Sequence, residues 1–144
     1  MTRALITGIT GFCGSHLLDY LIEHTDYEVY GLVRWRSPLN NIQQHLPRVE
    51  KKDRLHLVYG DLTDQGSLER VAYENTFDFV FHLAAQSFPK TSFESPMQTL
   101  DTNVLGTCRL LEALRHNAPH GVIHVCSSSE VFGRVSQDEV PINE

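Results

Sequence analysis

Five short apolar runs recur along the chain, separated by longer segments in which apolar residues have helical spacing. Runs of this length predict β-strands, here at Arg3–Thr7, Glu28–Arg34, Leu55–Tyr59, Phe79–Leu83 and Val122–Ser127. Apolar strand cores such as Val80-Phe81 are typical of strands that are covered on both faces. The pattern therefore predicts a parallel sheet with helices on either side.

Apolar residues at three- and four-residue spacing predict the helices between these strands. The helices span about Gly14 to His24, Ser67 to Tyr73 and Met97 to Asn117, and a short one is expected at Asn41–Leu46, where Pro47 ends it. Strands that alternate with helices predict an α/β fold, with a doubly wound Rossmann-like parallel sheet in the order 3-2-1-4-5. The 144 residues are one domain's worth of chain.

A glycine-rich turn follows the first predicted strand directly. Gly8, Gly11 and Gly14 stand at three-residue spacing before the first predicted helix. Gly8 would let the chain turn, Gly11 would let the backbone approach a pyrophosphate, and Gly14 would let the helix pack close to the strand. A glycine-rich turn without a ligand is the alternative interpretation. The position after a buried strand favours a dinucleotide site, in which Thr10 and Phe12 also take part.

Ligands of doubly wound sheets bind outside the carboxyl ends of the strands, where the strand order reverses. This rule makes the residues after each strand the candidate site. Besides the glycine turn, the cofactor is expected to contact Arg34, Arg36, Asp61, Leu62, Leu83, Ala84, Ala85, Ser87 and Cys126.

The second strand distinguishes between the two nicotinamide cofactors. A cofactor without a 2′-phosphate requires a carboxylate at the carboxyl end of that strand. Glu28 opens the strand and is at the wrong end, whereas Arg34 and Arg36 stand at the proper end and suit a 2′-phosphate. Two exposed arginines without a ligand are the alternative interpretation. The sequence therefore favours NADP over NAD.

Polar and small residues near the strand ends have further candidate roles. Asp61 accepts a hydrogen bond from the adenine amine, caps a helix that begins near Thr63, or does both. Ala84 and Ala85 are small enough for a flat cofactor to lie close to the fourth strand. Asn103 is either an ordinary exposed residue of the long helix or a side chain that bonds backbone near the site.

The turn after the fifth strand carries hydroxyl groups and one carboxylate. A hydroxyl there, such as that of Ser128, could hydrogen-bond a substrate oxygen whose charge changes during hydride transfer. The Glu130 carboxylate could abstract a proton next to a carbonyl. A serine-rich turn in which Glu130 caps the following segment is an equally weighted alternative.

Composition and charge exclude several classes of protein. The net charge of −6, without a basic run, argues against a nucleic-acid-binding surface, and no stretch approaches a transmembrane span. The first residues run directly into the first strand and glycine turn and are not expected to be a signal peptide. The cysteine usage predicts a cytoplasmic protein. Three widely spaced cysteines predict packed, reduced thiols, and neither they nor the eight histidines have metal-ligand spacing.

Five short motifs together carry a resemblance to a known family. They are Thr7-Gly8-x-x-Gly11-Phe12-x-Gly14, Gly60-Asp61-Leu62, His82-Leu83-Ala84-Ala85, Asn103-x-x-Gly106-Thr107 and Ser128-Ser129-Glu130-Val131-Phe132-Gly133. With them, essentially the whole chain resembles the extended short-chain dehydrogenase/reductase superfamily. It is most similar there to the nucleotide-sugar 4,6-dehydratases, especially those of GDP-mannose, through Ala85-Gln86-Ser87, Ser92-Phe93-Glu94-Ser95-Pro96 and Leu110-Leu111-Glu112-Ala113.

This resemblance implies an enzyme that binds NADP and a nucleotide sugar. The implied reaction is oxidation at C4 of the hexose by bound NADP, proton loss at C5, expulsion of water from C6 and return of hydride to C6. Ser128, at the place of a family threonine, would bond the 4-oxygen, Glu130 would remove the C5 proton, and Arg34 would lie near the 2′-phosphate. The substrate would also contact Gln86, Ser87 and Ser129. Relatives pair through helices, which implies a homo-oligomer.

Departures from the family pattern leave alternatives open. Trp35 occupies the place of a second family arginine, and Phe12-Cys13 and Ser128 resemble 4-keto-sugar reductases and 4-epimerases instead. The family's Tyr-x-x-x-Lys pair is missing and would follow soon after Glu144. The chain is therefore expected to be the N-terminal, NADP-binding part of a longer enzyme, lacking the last strands and the substrate domain, and inactive by itself. A non-catalytic NADP-binding protein is the alternative from another class.

Overall fold

Five parallel strands form one sheet in the order β3-β2-β1-β4-β5 in the computed structural model, which describes residues 1–117 and 121–142. The strands are β1 (Arg3–Thr7), β2 (Glu28–Val33), β3 (Leu55–Tyr59), β4 (Phe79–His82) and β5 (Val122–Val125). The helices are α1 (Phe12–His24), α2 (Leu46–Lys51), α3 (Gln65–Glu74), α4 (Pro89–Glu94), α5 (Pro96–Leu100) and α6 (Gly106–Asn117). Tighter 3-10 turns lie at Asn40–His45, Ser129–Phe132 and Gln137–Glu139, and a π-helical turn at Asp101–Leu105 joins α5 to α6.

Helices cover both faces of this sheet, as the apolar strand cores predict. Leu5 and Ile6 are neighbours in β1, and each is almost fully buried in a different apolar cluster. Successive side chains of a strand point to opposite faces, so both faces of β1 lie in a core. The Leu5 cluster includes Leu68 of α3 and Leu110 of α6, whereas the Ile6 cluster includes Leu18 of α1. The predicted doubly wound, Rossmann-like fold and its strand order are confirmed.

Two local predictions about helices are wrong. Pro47 does not end a helix but lies in the first turn of α2, where a proline loses no helical hydrogen bond because that N–H has no partner. The short segment before it is the 3-10 turn Asn40–His45. Sequence patterning also misses α4, which begins at Pro89 for the same physical reason.

The long helix predicted from Met97 to Asn117 is present as α5, the π-helical turn and α6 in succession. The π-helical turn accommodates an extra residue, and such turns occur frequently at functional sites. Directly after it the helix packs closely on Leu62, since a Cβ at Gly106 would lie 2.7 Å from the Leu62 Cβ.

The cysteines differ from the prediction in one respect. All three are free thiols, as expected, but Cys13, Cys108 and Cys126 are exposed rather than packed. Among the described residues, no helix is both long and apolar enough to cross a bilayer.

Candidate cofactor site

The glycine turn after β1 packs directly against the end of β4. Gly8 has a φ of +73°, a left-handed conformation that glycine adopts without steric cost. A Cβ there would lie 2.9 Å from the Ala84 nitrogen, and the Gly11 N–H donates to the Gly8 carbonyl at 2.9 Å. The predicted site residues Gly8, Leu83 and Ala84 therefore lie together at the switch point of the sheet.

Helix α1 begins against the same turn. A Cβ on Gly14 would lie 2.2 Å from the Gly8 carbonyl oxygen, so only glycine permits this close approach of helix and turn. α1 starts at Phe12, two residues earlier than predicted, and its N-cap is Gly11, which has no side chain to accept from the first-turn N–H groups. Those N–H groups and the positive end of the helix dipole suit a phosphate anion.

The rim of the glycine turn is supported by a residue that sequence patterning does not single out. The Asn41 side chain donates to the Thr10 carbonyl at 2.8 Å. The same segment is held on α1 by His45, whose imidazole contacts the Asp19 carboxylate. Thr10 is half-buried, whereas the Phe12 ring is exposed and meets the ring of His16 edge-on.

A buried hydrogen-bonded chain links β1, β4 and α6 behind this turn. The Thr7 hydroxyl lies 2.7 Å from His82 Nδ1, and His82 Nε2 lies 2.9 Å from the Thr107 hydroxyl. Thr107 donates in turn to the Asn103 carbonyl at 2.7 Å. Thr7 and His82 are register partners on adjacent strands, each at the carboxyl end.

The hydrogen-bond partners along this series of side chains fix which atom each hydroxyl and imidazole proton is donated to. The Thr7 oxygen already accepts from the N–H groups of Leu83 and Ala84, at 3.2 and 3.1 Å, so its hydroxyl proton goes to His82 Nδ1. The Thr107 proton goes to Asn103, so Thr107 accepts from His82 Nε2–H. His82 is therefore the neutral Nε2–H tautomer. Burial agrees with this assignment, because it lowers the pKa of His82.

Asn103 bonds backbone near the site, as the second of its two interpretations holds. Its side-chain oxygen accepts from the Gln86 N–H at 2.8 Å, and its amide donates to the Gln86 carbonyl at 2.9 Å. The Gln86 side chain folds back, because its oxygen accepts from the Phe88 N–H at 2.7 Å and its amide lies 3.3 Å from the Thr99 hydroxyl. This geometry gives Gln86 a role in ordering its own loop, and its substrate contact stays a prediction.

The second strand places its charges as the sequence predicts. Glu28 lies at the amino end of β2 and accepts from Arg3 Nε at 3.1 Å, so it cannot meet a ribose at the opposite end. Arg34 and Arg36 follow the carboxyl end and are exposed. Within residues 1–117 and 121–142, neither guanidinium forms a salt bridge.

The residues after β3 have partly different roles from those predicted. Asp61 does not cap the next helix: that helix begins at Gln65, and Asp64 caps it by accepting from the Gly66 N–H at 3.2 Å. The Asp61 carboxylate accepts from the Thr63 N–H and hydroxyl at 2.9 and 2.8 Å. Leu62 is only 5% exposed and belongs to the core, so its predicted cofactor contact would have to come from its backbone.

The turn after β5 is joined to the same edge of the sheet. The Cys126 N–H donates to the His82 carbonyl at 3.1 Å, so the chain leaves β5 beside the end of β4. The Ser128 hydroxyl accepts from the Glu130 N–H at 3.2 Å and caps the following 3-10 turn. It is therefore Ser128, and not Glu130, that caps this segment. The Glu130 carboxylate is exposed at the edge where Ala85 and Ser87 are also exposed.

The fold and this edge define a class of protein. A parallel sheet in the order 3-2-1-4-5, with a glycine turn after its first strand, is the Rossmann-like architecture of short-chain dehydrogenases and sugar epimerases. The chain belongs to the GDP-mannose 4,6-dehydratase family, because the model of that family matches residues 5–144.

Individual relatives agree with this assignment. A GDP-mannose 4,6-dehydratase of Yersinia enterocolitica is 42% identical over 151 aligned residues, which cover 100% of this chain and 39% of that protein. One of Vibrio cholerae is 43% identical and covers 98% of this chain and 38% of that protein. The solved UDP-glucose 4-epimerase of Bifidobacterium longum, in complex with NAD+ and UDP, is 30% identical with a TM-score of 0.72, covering 92% of this chain and 38% of that one. The chain thus spans about two fifths of the length of these relatives.

Proposed function

We propose that these residues form the NADP-binding part of a nucleotide-sugar 4,6-dehydratase that converts GDP-mannose, or a related nucleotide hexose, to its 4-keto-6-deoxy derivative. The observation that carries the proposal is the glycine turn. Gly14 lets α1 begin directly against Gly8, and among the described residues no side chain caps the first N–H groups of α1, so these groups suit a pyrophosphate. The family assignment supports the sugar chemistry.

The residues of this chain would have the following roles in the reaction. When bound, the nicotinamide supplies reversible hydride transfer. Ser128 keeps a hydroxyl proton with which it can donate to the sugar 4-oxygen, because its oxygen is the atom that caps the turn. Glu130 is exposed two residues further along the chain and would take the C5 proton. Asn103 fixes the Gln86 backbone, which orders the loop that carries Ser87 toward the substrate.

Replacing Glu130 tests the reaction. In the natural protein in its complete form, Glu130→Gln should lower kcat with GDP-mannose by about 100-fold or more, because an amide cannot accept the C5 proton. Cofactor affinity should not change. The measurement is formation of the 4-keto-6-deoxy product by mass spectrometry, with deuterium exchange from solvent at C5 as a second readout.

A matched control is Glu23→Gln, at an exposed position of α1 away from the sheet edge, which should leave kcat unchanged. Full turnover by Glu130→Gln would contradict the assignment of the base. If the unaltered protein forms an epimerised or reduced sugar and no dehydrated product, the second candidate described below replaces the dehydratase.

The choice of NADP rests on the two arginines after β2. Arg34→Ala and Arg36→Ala should each weaken NADPH binding about tenfold or more, because a charge-assisted bond to the 2′-phosphate is lost. NADH binding should be unaffected. Titration of nicotinamide fluorescence measures both affinities.

Arg115→Ala is the control for the loss of an exposed arginine, since Arg115 pairs with Glu112 at the far end of α6. It should bind NADPH normally. Equal affinity for NADPH and NADH in the unaltered chain, with no effect of either substitution after β2, would assign NAD instead.

A 4-epimerase or 4-keto-sugar reductase is the second candidate. It is favoured by Phe12-Cys13 in the glycine turn and by serine at position 128. The likeness to the Bifidobacterium longum epimerase supports it as well. Product analysis separates the two, since only dehydration removes the C6 oxygen.

A homo-oligomer is part of the same proposal. Met97, Leu100 and Val104 are exposed apolar residues that recur along α5 and the π-helical turn at helical spacing, and Leu111 continues the row on α6. An apolar helix face of this kind is typical of a surface covered by a partner. A second copy of the chain would bury it.

A further inference from the structure

The 3-10 turn Asn40–His45, the 40–45 turn, ties the chain after β2 to the glycine turn and to α1. Three of its side chains make these contacts, namely Asn41, Ile42 and His45. Each uses a different interaction: a hydrogen bond, apolar packing and a polar contact with a carboxylate. A short turn that is fastened in this way next to a ligand site is a candidate for holding that site in shape.

Ile42 anchors the 40–45 turn in the apolar core. Its side chain is fully buried in the cluster that also contains Ile9 of the glycine turn. Ile9 is likewise fully buried and lies against Gly31 of β2, where a Cβ would be 2.5 Å from the Ile9 Cδ1. The 40–45 turn and the glycine turn therefore share one packed core.

A polar contact fastens the end of the 40–45 turn to α1. The His45 imidazole, whose side chain is only 12% exposed, contacts the Asp19 carboxylate through Nε2. The Gln44 amide donates to the same carboxylate oxygen at 3.3 Å. The hydrogen bond from His45 holds the pKa of Asp19 below its ordinary value. The carboxylate is therefore ionised at neutral pH and accepts from both side chains.

Asn41 connects this supported turn to the backbone of the glycine turn. Its side-chain amide donates to the Thr10 carbonyl at 2.8 Å. That carbonyl lies in the same peptide plane as the Gly11 N–H, which donates to the Gly8 carbonyl at 2.9 Å. Asn41 therefore fixes the orientation of the peptide group that closes the glycine turn.

We propose that Asn41 is a positioning residue of the cofactor site, which holds the Thr10–Gly11 peptide in the orientation in which α1 begins at Gly11 and presents its first N–H groups to a pyrophosphate. The inference rests on the proposed cofactor-binding function and adds to it a residue from outside the glycine motif. Glycine has more backbone freedom than any other residue, so a glycine-rich turn loses more conformational entropy on binding unless another contact already orders it. Asn41 supplies that order before the cofactor binds. NADPH and NADH share the pyrophosphate, so the contribution of Asn41 is the same for both.

The first test removes the hydrogen bond. Asn41→Leu keeps the number and branching of the heavy atoms and should weaken NADPH and NADH by the same factor, about three- to tenfold, because ordering the turn then costs part of the binding free energy. Asn41→Gln, which keeps an amide donor on a longer side chain, should recover part of the affinity. Asn40→Leu, the same substitution at the neighbouring exposed position, should have no effect. Calorimetric titration gives the affinities, and circular dichroism verifies folding.

The second test determines whether the anchor on α1 acts through Asn41. Asp19→Ala removes the carboxylate that His45 and Gln44 contact, and it should weaken NADPH binding about two- to threefold because the 40–45 turn is then less firmly fixed. It should have no further effect in Asn41→Leu, where the connection to the glycine turn is already broken. A merely structural role of Asp19 would lower the affinity equally in both backgrounds.

The third test observes the contact without any cofactor. The Gly11 amide nitrogen is bonded to the Thr10 carbonyl carbon, so its NMR signal responds to a hydrogen bond on that carbonyl. Asn41→Leu should shift this signal in the free chain, and Asn40→Leu should not.

The outcomes are distinct. Unaltered NADPH affinity in folded Asn41→Leu, or an unshifted Gly11 signal, would overturn the inference and leave the proposed function intact. Loss of NADPH affinity without loss of NADH affinity would place Asn41 with the arginines at the 2′-phosphate and would also overturn it. An equal effect of Asp19→Ala in both backgrounds would overturn the coupling of the 40–45 turn to the site. No binding of NADPH to the folded, unaltered chain would overturn both the inference and the proposed function.

Discussion

Gly14→Ala should abolish measurable cofactor binding and destabilise the fold by about 3 kcal/mol or more. The added methyl group would lie 2.2 Å from the Gly8 carbonyl oxygen and 2.8 Å from the Ile9 Cα, and all these atoms are backbone. No side-chain rotation relieves that overlap, so α1 has to move away from the turn. Each phosphate bond lost from the helix start then costs about tenfold in affinity.

Gly66→Ala is a matched control, since Gly66 also lies in the first turn of a helix, α3. There the new Cβ would meet only the Asp64 side chain, at an ordinary 3.7 Å. Alanine should raise stability slightly, because it restricts the unfolded chain. Urea unfolding measures both free energies. NADPH affinity near that of the unaltered chain in Gly14→Ala would show that the glycine turn is not the pyrophosphate site.

His82 should make the stability of the chain fall as the pH is lowered through about 6.5. Burial lowers the pKa of His82 in the folded state, below the ordinary value of about 6.5 that holds in the unfolded chain. Below pH 6.5 the unfolded state takes up a proton that the folded state does not, which favours unfolding. The loss continues down to the folded-state pKa, at up to about 1.4 kcal/mol per pH unit.

His82→Gln tests this assignment. It should cost about 2–3 kcal/mol at pH 7.5, because Thr7 and Thr107 lose their buried partner, and it should remove this part of the pH dependence. His24→Gln, at an exposed position on α1, should leave both the stability and its pH dependence unchanged. Urea unfolding at pH 5.5, 6.5 and 7.5 gives the comparison. Parallel profiles for the unaltered chain and His82→Gln would contradict a neutral buried imidazole.

Patterning alone predicts the sheet because the strands are short, mainly apolar runs with distinct ends. β1 and β3 begin and end as predicted, and β2, β4 and β5 end one or two residues early. The strand order follows from alternation and handedness, and the carboxyl-edge rule then gathers most of the candidate site. The spacing of Gly8 and Gly14 predicts their place because both positions are too crowded for a side chain.

The predictions that failed concern where a helix begins and which polar residues pair across strands. Proline is tolerated in the first turn of a helix and not in its interior, and the sequence around Pro47 does not show where the helix begins. Asp64 caps α3 in place of Asp61, and a difference of three residues is beyond what patterning resolves. Thr7 and His82 lie 75 residues apart, so the pattern along either strand gives no sign that they are hydrogen-bonded. Pairing β1 with β4 in register would have brought them together.

The central strand has consequences for how the protein is made. Arg3 of β1 bonds Glu28 of β2 across 25 residues, but it bonds Asp78, beside β4, across 75. During synthesis at about 5–20 residues per second, the second contact therefore becomes possible roughly 2.5–10 s after the first. During that interval the backbone of β1, including Leu5 and Ile6, is unpaired on the side where β4 later lies. Another nascent chain can pair with this open edge. The yield of folded protein should thus depend on translation speed between β2 and β4, and slow codons there would favour aggregation.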